Sequence, residues 1–185
     1  MPLTAYDGGV PIRLARLADL PQIMRIIRRV VPSMVASGNN QWTDTYPDEA
    51  VFALDVERGE LWVAETAEGL LIGVVALTTA PGHEYAAVGW DVQEPAIFTH
   101  RLAVDPDYRG QGIAAALMQQ AEPVARAKGI HTLRVDTGAL NLSAQRLIER
   151  LGYRFVAEIL LAVRPGLYVR CYERRLSDDL AGTAP

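Results

Sequence analysis

The chain has 185 residues, half of them hydrophobic and 22% charged, with a formal net charge of −4. That is an ordinary globular composition, and its acidic balance gives no general affinity for nucleic acid. The only cysteine, Cys171, excludes an internal disulfide, and His83, His100 and His131 stand too far apart for zinc-ligand spacing. No apolar run is long enough to span a membrane, and the first residues show no basic region followed by an apolar stretch. The expectation is a single cytoplasmic domain over residues 1–185, with a core at about 11–176 and a frayed tail after Ser177.

Ile12 to Arg16 alternates and reads as a first strand. Asp19 with Gln22 three residues on, and Pro21 in the first turn, predicts a capped helix. Leu20, Ile23, Ile27 and Val30 form its apolar stripe, and Pro32, Gly38, Asn39 and Asn40 mark its end. "YPDEAVFALDVERG" predicts a second helix stopped by Gly59. "LWVAET" and "LLIGVVALTT" predict a hairpin turning at Glu68-Gly69. A loop with Pro81, Gly82 and Gly89 leads to a strand at "AIFTHRLAV", and a long helix follows, reaching about Gly129. Pro123 inside that helix predicts a kink. "HTLRVDT" is a strand, "NLSAQRLIERLG" a helix with Ala144, Leu147, Ile148 and Leu151 on one face, and "FVAEI" and "LYVRCYERRL" a closing strand pair. The helical link between "AIFTHRLAV" and "HTLRVDT" requires a parallel pair, while the early strands meander as antiparallel strands do. A mixed α/β sheet with helices on both faces follows.

The stretch "HRLAVDPDYRGQGIAAALMQQA" puts a glycine pair between strand and helix. It admits three readings. Asp105-Pro106 and the glycines can simply form a turn. Gly110-x-Gly112-x-x-Ala115 matches the dinucleotide fingerprint, but Asp-Pro-Asp-Tyr-Arg separates it from the strand, and only one βαβ unit surrounds it. The third reading uses the amides from Gly110 to Ala115, at a helix N-terminus, to hold a diphosphate, with Arg109 and Arg101 adding charge.

Arg109-x-x-Gly112-x-Ala114 resembles the Q/R-x-x-G-x-G/A signature of the GNAT superfamily of acyl-CoA-dependent N-acyltransferases. "NLSAQRLIERLGYRF" resembles the superfamily's second motif, with Asn141, Ala144 and Gly152-Tyr153 in place. The resemblance covers nearly the whole chain, most specifically Phe98 to Phe155. "NNQWTDTYPDE" with "LYVRCYERR" resembles a poorly characterised branch of the superfamily.

The resemblance implies a mostly antiparallel sheet with one parallel strand pair splayed around acetyl-CoA. It implies that Leu102, Ala103 and Val104 bind pantetheine. The backbone of Gly110, Gln111, Gly112, Ile113, Ala114 and Ala115 would hold the pyrophosphate beside Arg109, and Asn141 would lie near the CoA arm. The acceptor would be a primary amine of a small molecule or protein, attacking the thioester directly. Asp136 matches a position where relatives carry a base, with His100 and Glu94 as other candidates. Relatives often protonate the leaving thiolate with a tyrosine where this chain has Ile148. Ser143 or water would substitute, and Tyr153 is expected to pack in the core. Trp42 and Tyr46 would wall the acceptor site, with "PGHEYAAVGWD" opposite. The Ile148 departure motivates an alternative, a catalytically weak acyl-CoA-binding sensor or interaction module. No nucleic-acid or membrane partner is expected, and an edge-strand homodimer remains open.

Overall fold

In a computed structural model, residues 9–80, 83–91, 93–161 and 166–177 are described. The element order is β1 (Ile12–Leu14), α1 (Leu20–Ala36), α2 (Glu49–Glu57), β2 (Leu61–Glu65), β3 (Leu71–Thr78), β4 (Ala96–Val104), α3 (Ile113–Gln119), α4 (Ala121–Ala127), β5 (Thr132–Gly138), α5 (Leu142–Arg150), β6 (Arg154–Leu160) and β7 (Tyr168–Arg175). The strands form one seven-stranded sheet in the order β1-β2-β3-β4-β5-β7-β6. Among the described strands, only β4 and β5 pair in parallel, as the sequence predicts. The predicted tail after residue 177, and Pro81 and Gly82 of the predicted loop, lie outside the described residues. No helix among the described residues is long and apolar enough to cross a membrane.

The sheet buries both faces. On one, Ile113, Leu117, Ile148 and Leu151 from the motif helices pack with Ile97, Leu133 and Tyr172. On the other, Ile23, Ile27, Val30 and Phe52 from α1 and α2 cover Val63, Val74 and Ala103. A smaller cluster gathers Tyr85, Trp90, Phe98 and Val169 beneath the 3-10 turn at His83–Val88. β3 is buried along its whole length, which fits a central strand covered on both faces. At Gly73 in β3, an added Cβ would lie 2.8 Å from Leu117 Cδ1, so the glycine lets α3 approach the sheet closely.

Several local expectations change. α1 runs through Pro32 to Ala36 rather than stopping there. Pro32 and Arg28, whose carbonyl loses its partner, are both on the exposed face, where water can satisfy that carbonyl. The predicted capping box does not form. Asp19 makes no side-chain cap; it accepts from the Arg16 amide at 2.8 Å and the Arg13 guanidinium at 2.8 and 3.1 Å. Gln22 instead accepts from the Leu71 amide on β3 at 3.0 Å. The long motif helix breaks at Gln120 into α3 and α4. Pro123 explains this: it has no amide to give the Gln119 carbonyl, and its ring crowds that turn.

Candidate functional site

The β4–β5 ladder runs from Ala96↔Thr132 to Thr99↔Val135 and then stops. Beyond it, β5 continues against β7 through Gly138↔Val169, and β4 continues against β3 through Gly73↔Val104. The two strands therefore part, and the gap opens into a cleft of about 880 Å³.

A bulge in β4 accompanies the parting. The β3–β4 register shifts between Val74 and Ala76, so Arg101 and Leu102 together face Val75. Arg101 sits at φ 51°, a left-handed conformation that costs a non-glycine residue roughly 1–2 kcal/mol. The bulge reverses the strand's alternation. Phe98 and His100 stack on the Tyr85 side, and Arg101 and Ala103 follow on that same sheet face, beneath α1 and α2. Leu102 and Val104 turn to the α3 side.

Arg101 reaches Asp55 on α2 in a two-pronged pair, with Nε and Nη2 each 2.7 Å from a carboxylate oxygen. Both side chains are largely buried, at 15% and 4% exposed. Burial works to lower the Arg101 pKa, but the Asp55 carboxylate and neighbouring Tyr46 outweigh it and raise it. The expectation that Arg101 supplies charge to a diphosphate is thus corrected: its guanidinium fork is engaged by Asp55.

The glycine loop is built as a turn as well as a helix start. Asp105 is fully buried and accepts from the Asp107 amide at 3.1 Å and from Arg29 Nη1 at 2.7 and 3.0 Å, which ties the loop to α1. Gly112 is the N-cap of α3 at φ 81°. The first bond of α3 runs from the Ala116 amide to the Gly112 carbonyl, so the amides of Ile113, Ala114 and Ala115 have no acceptor within the helix. Arg109 and Ala114 line the cleft. Gly110 and Gln111 are exposed on the loop, Ala115 packs partly against the core, and the Ile113 side chain is buried in it. Only backbone atoms of Ile113 are therefore available to a ligand.

Leu102, Ala103 and Val104 line the middle of the cleft, and Asn141, Ser143 and Ile148 line its α5 side. Asn141 caps α5, its Oδ1 accepting from the Ala144 amide at 3.2 Å. Ser143 is exposed in the first turn of α5, while Ile148 is buried in the core. Tyr153 packs in that core as expected, and burial pushes its phenol up to about 12.

At the other end stand Trp42, Tyr46, Tyr85, His100 and Asp136. Trp42 is 6% exposed and packs beneath α1 while also bordering the cleft. Asp136 Oδ1 accepts from the Tyr85 hydroxyl at 2.7 Å, and Oδ2 accepts from Gln41 Nε2 at 3.3 Å. Gln41 also accepts from the Gly138 amide at 3.2 Å, so it clamps the α1–α2 loop to β5. Neither Gln41 nor Tyr85 stands out in the sequence. The only signals were the quoted loop strings that contain them, because the partners lie 95 and 51 residues away.

His100 and Glu94 do not suit the role of base. Burial, reinforced by the Arg101 charge, pushes the His100 imidazole down to about 3. The nearest Asp136 oxygen, 3.9 Å from Nδ1, is too distant for a hydrogen bond to counter that. Glu94 does not line the cleft. Burial would raise its pKa, but hydrogen bonds from Arg175 and Thr132 and the Arg134 charge prevail and hold it below the ordinary range. It anchors the wall loop through the buried Arg134, whose guanidinium also lies 5.0 Å from the Trp90 ring.

The depressed His100 value has a stability consequence. An unfolded imidazole protonates near 6.5 and the folded one only near 3, so this contribution is complete above about pH 6.5 and is lost as pH falls toward 3. Between pH 6 and 4 this group should cost about 1.4 kcal/mol per pH unit. His100→Gln should remove that part of the slope, measured by urea unfolding at pH 7, 5 and 4.

Comparison with known proteins agrees with this geometry. The profile described as "Acetyltransferase (GNAT) family" matches residues 20–153. The chain belongs to the acetyltransferase (GNAT) family and is an N-acetyltransferase, with acetyl-CoA as the donor that family uses. It is 28% identical to the uncharacterized N-acetyltransferase YesJ of Bacillus subtilis over 145 residues, covering 75% of this chain and 78% of that one. It is 31% identical over 113 residues to N-acetylaspartate synthetase of Xenopus tropicalis, covering 61% of this chain and only 37% of that protein. Among solved structures, a GNAT-family acetyltransferase from Streptococcus agalactiae superposes with a TM-score of 0.76 at 24% identity, covering 90% of this chain and 95% of the other. Salmonella typhimurium yncA, a putative acetyltransferase solved with its cofactor acetyl-CoA, superposes at 0.68 with 20% identity, covering 96% and 99%. At those identities the structures show the shared fold.

Proposed function

We propose that this chain transfers an acetyl group directly from acetyl-CoA to a primary amine, both held in one ternary complex. The observation that carries the reading is the parting of β4 from β5 after Thr99, which opens a cleft between the glycine loop and Asp136. The backbone of Leu102 to Val104 binds the pantetheine arm and aims the thioester. The amides at the start of α3, with Arg109, take the pyrophosphate. Asn141 uses Oδ1 for its cap, which leaves its amide N–H groups to face the CoA arm. Catalysis is chiefly positioning: amine and thioester are held together, and fixed donors polarise the carbonyl.

Asp136 receives the amine. Tyr85 and Gln41 fix its carboxylate, which orients the amine and accepts the proton lost as nitrogen attacks the carbonyl carbon. The C–S bond then breaks and CoA leaves as thiolate. A thiol pKa of about 8.5 makes that departure tolerable near neutrality without a dedicated acid. Water at the mouth, or the exposed Ser143 hydroxyl, delivers the final proton.

One observation favours a second reading, a weak acyl-CoA-binding module: the side chain at 148 is apolar and can give no proton. Thiol release over an amine panel, with CoA binding followed by calorimetry, separates the two. Tight CoA binding with no acceptor-dependent release would leave only the second. Gly112→Glu should weaken CoA binding about tenfold or more, since it adds left-handed strain and a negative charge beside the phosphates. Unchanged CoA affinity in that variant, with its melting temperature preserved, would remove the loop from the donor site.

A further inference from the structure

We infer that Gln145, buried on α5 and not itself a lining residue of the cleft, is a positioning residue: it braces the open edge of β5, on which both ends of the cleft depend. The assignment rests on the transfer reaction proposed above and concerns what holds its geometry.

The parting of β4 from β5 leaves backbone groups without a strand to meet them. The parallel ladder ends at Thr99↔Val135, yet β5 runs on to Gly138. The N–H and C=O of one strand residue point to the same edge. The next amide, that of Ala139, donates across to Tyr168 on β7 at 2.9 Å, so the Gly138 groups face the edge that β4 has left. Buried backbone groups need partners, and two glutamines from different elements supply them there. Gln41 Oε1 accepts from the Gly138 amide at 3.2 Å. Gln145 Nε2 donates to the Gly138 carbonyl at 3.2 Å and to the Ala139 carbonyl at 2.8 Å. The Asn141 amide also donates to the Gly138 carbonyl, at 2.9 Å.

Gln145 is held in its turn. Its Oε1 accepts from Arg170 Nη1 on β7 at 2.9 Å. A guanidinium has only donors, so this bond fixes which end of the amide faces the carbonyls. Arg170 is anchored over Phe155, with Cζ 4.4 Å from the ring centre.

Two arms run from Gly138 into the cleft. On the amide side, Gln41 also donates to Asp136 Oδ2 at 3.3 Å. On the carbonyl side, the turn leads to Asn141, which caps α5 and lines the cleft. There is little slack between the arms. An added Cβ at Gly138 would lie 2.9 Å from Asn39 Oδ1, and that same oxygen accepts from the Gln41 amide at 3.2 Å. A shift at the end of β5 therefore reaches Asp136 and Asn141 together. Misplacing reacting groups by about 1 Å costs up to roughly a hundredfold in rate.

The test compares Gln145→Met, which keeps length and bulk but removes the donors, with Gln41→Ala and with the double variant. Each is assayed well below its own melting temperature. Thiol release with tyramine, tryptamine, cadaverine and lysine gives kcat and KM, and calorimetry gives CoA affinity. Gln145→Met is expected to lower kcat/KM roughly tenfold to a hundredfold, chiefly in kcat. The double variant is expected to fall by less than the product of the two single effects, because both glutamines act on one residue. A residue that only supported the fold would lower the melting temperature and leave the folded protein's rate unchanged. If Gln145→Met does not fold, Arg170→Met reads the same brace from a side chain 30% exposed. It frees the amide to turn and should lower kcat/KM about twofold to tenfold. Full activity in Gln145→Met, or in Arg170→Met where the first does not fold, overturns the assignment. Strictly multiplicative effects in the double variant overturn it too. A wild type that binds CoA but releases no thiol with any of these amines brings down the transfer reaction itself, and the role of Gln145 with it.

Discussion

Asp136→Asn lowers kcat/KM for the amine by about 10²–10⁴ and leaves CoA affinity within about twofold. The substitution keeps the shape of the side chain and an oxygen to accept from Tyr85, so packing is little disturbed. On the proposed reaction, what it removes is the charge that holds the ammonium and the basic site that takes its proton. The effect therefore appears in the acceptor's kinetics and not in the donor's. A purely structural Asp136 would behave differently: melting temperature and donor binding would fall together with activity. The clamp offers a second readout. Tyr85→Phe and Gln41→Ala each remove one donor that fixes the carboxylate, and each should lower kcat/KM for the amine while leaving CoA affinity within about twofold. Full activity in both variants and in Asp136→Asn would remove the base from the site.

Asp55→Ala destabilises the fold by about 3–5 kcal/mol, because it strands the Arg101 guanidinium in a largely buried position. In a chain of this size that is a fall of roughly 6–20 °C in melting temperature. The compensating experiment is a double replacement, Asp55→Ala with Arg101→Met, which removes both charges. It should recover most of the loss, since the penalty comes from an uncompensated charge. Differential scanning calorimetry of the two variants distinguishes this from loss of α2 packing, which the double replacement would not restore. Phe52, fully buried on the same helix, gives the control: Phe52→Ala lowers stability through a cavity, and no charge removal rescues it.

The element order was legible because its signals are local. Alternation marked β2 and β3, glycines stopped α2 and the motif helix, and helical spacing marked α1 and α5. The stretch proposed for the donor is contiguous, and Leu102, Ala103, Val104, Arg109 and Ala114 from it do line one cleft. The other end of the cleft was only half visible. Asp136, Trp42 and Tyr46 could be singled out, but the bonds from Gln41 and Tyr85 join segments that meet only in the folded sheet. Arg101 misled for a similar reason. Its charge is plain in the sequence, whereas its engagement by Asp55 depends on a bulge fixed by pairing with β3. Pro32 and Pro123 show the limit of local rules. The first is tolerated because the carbonyl it orphans faces water, and the second ends α3 because it falls where the next helix begins.

The bulge at Arg101 makes the active cleft depend on counting. Side chains in a strand alternate with a period of two, so one supernumerary residue exchanges the faces of everything after it. Deleting Arg101 would restore the alternation with residues 102 to 104 on the faces they already occupy, and would leave Asp55 without its arginine. The cleft is, in this sense, bordered by a maintained frameshift in the sheet. Point substitutions in β4 keep the count, whereas deleting Arg101 removes at once the bulge and the partner of a buried carboxylate while leaving the hydrophobic core composition untouched.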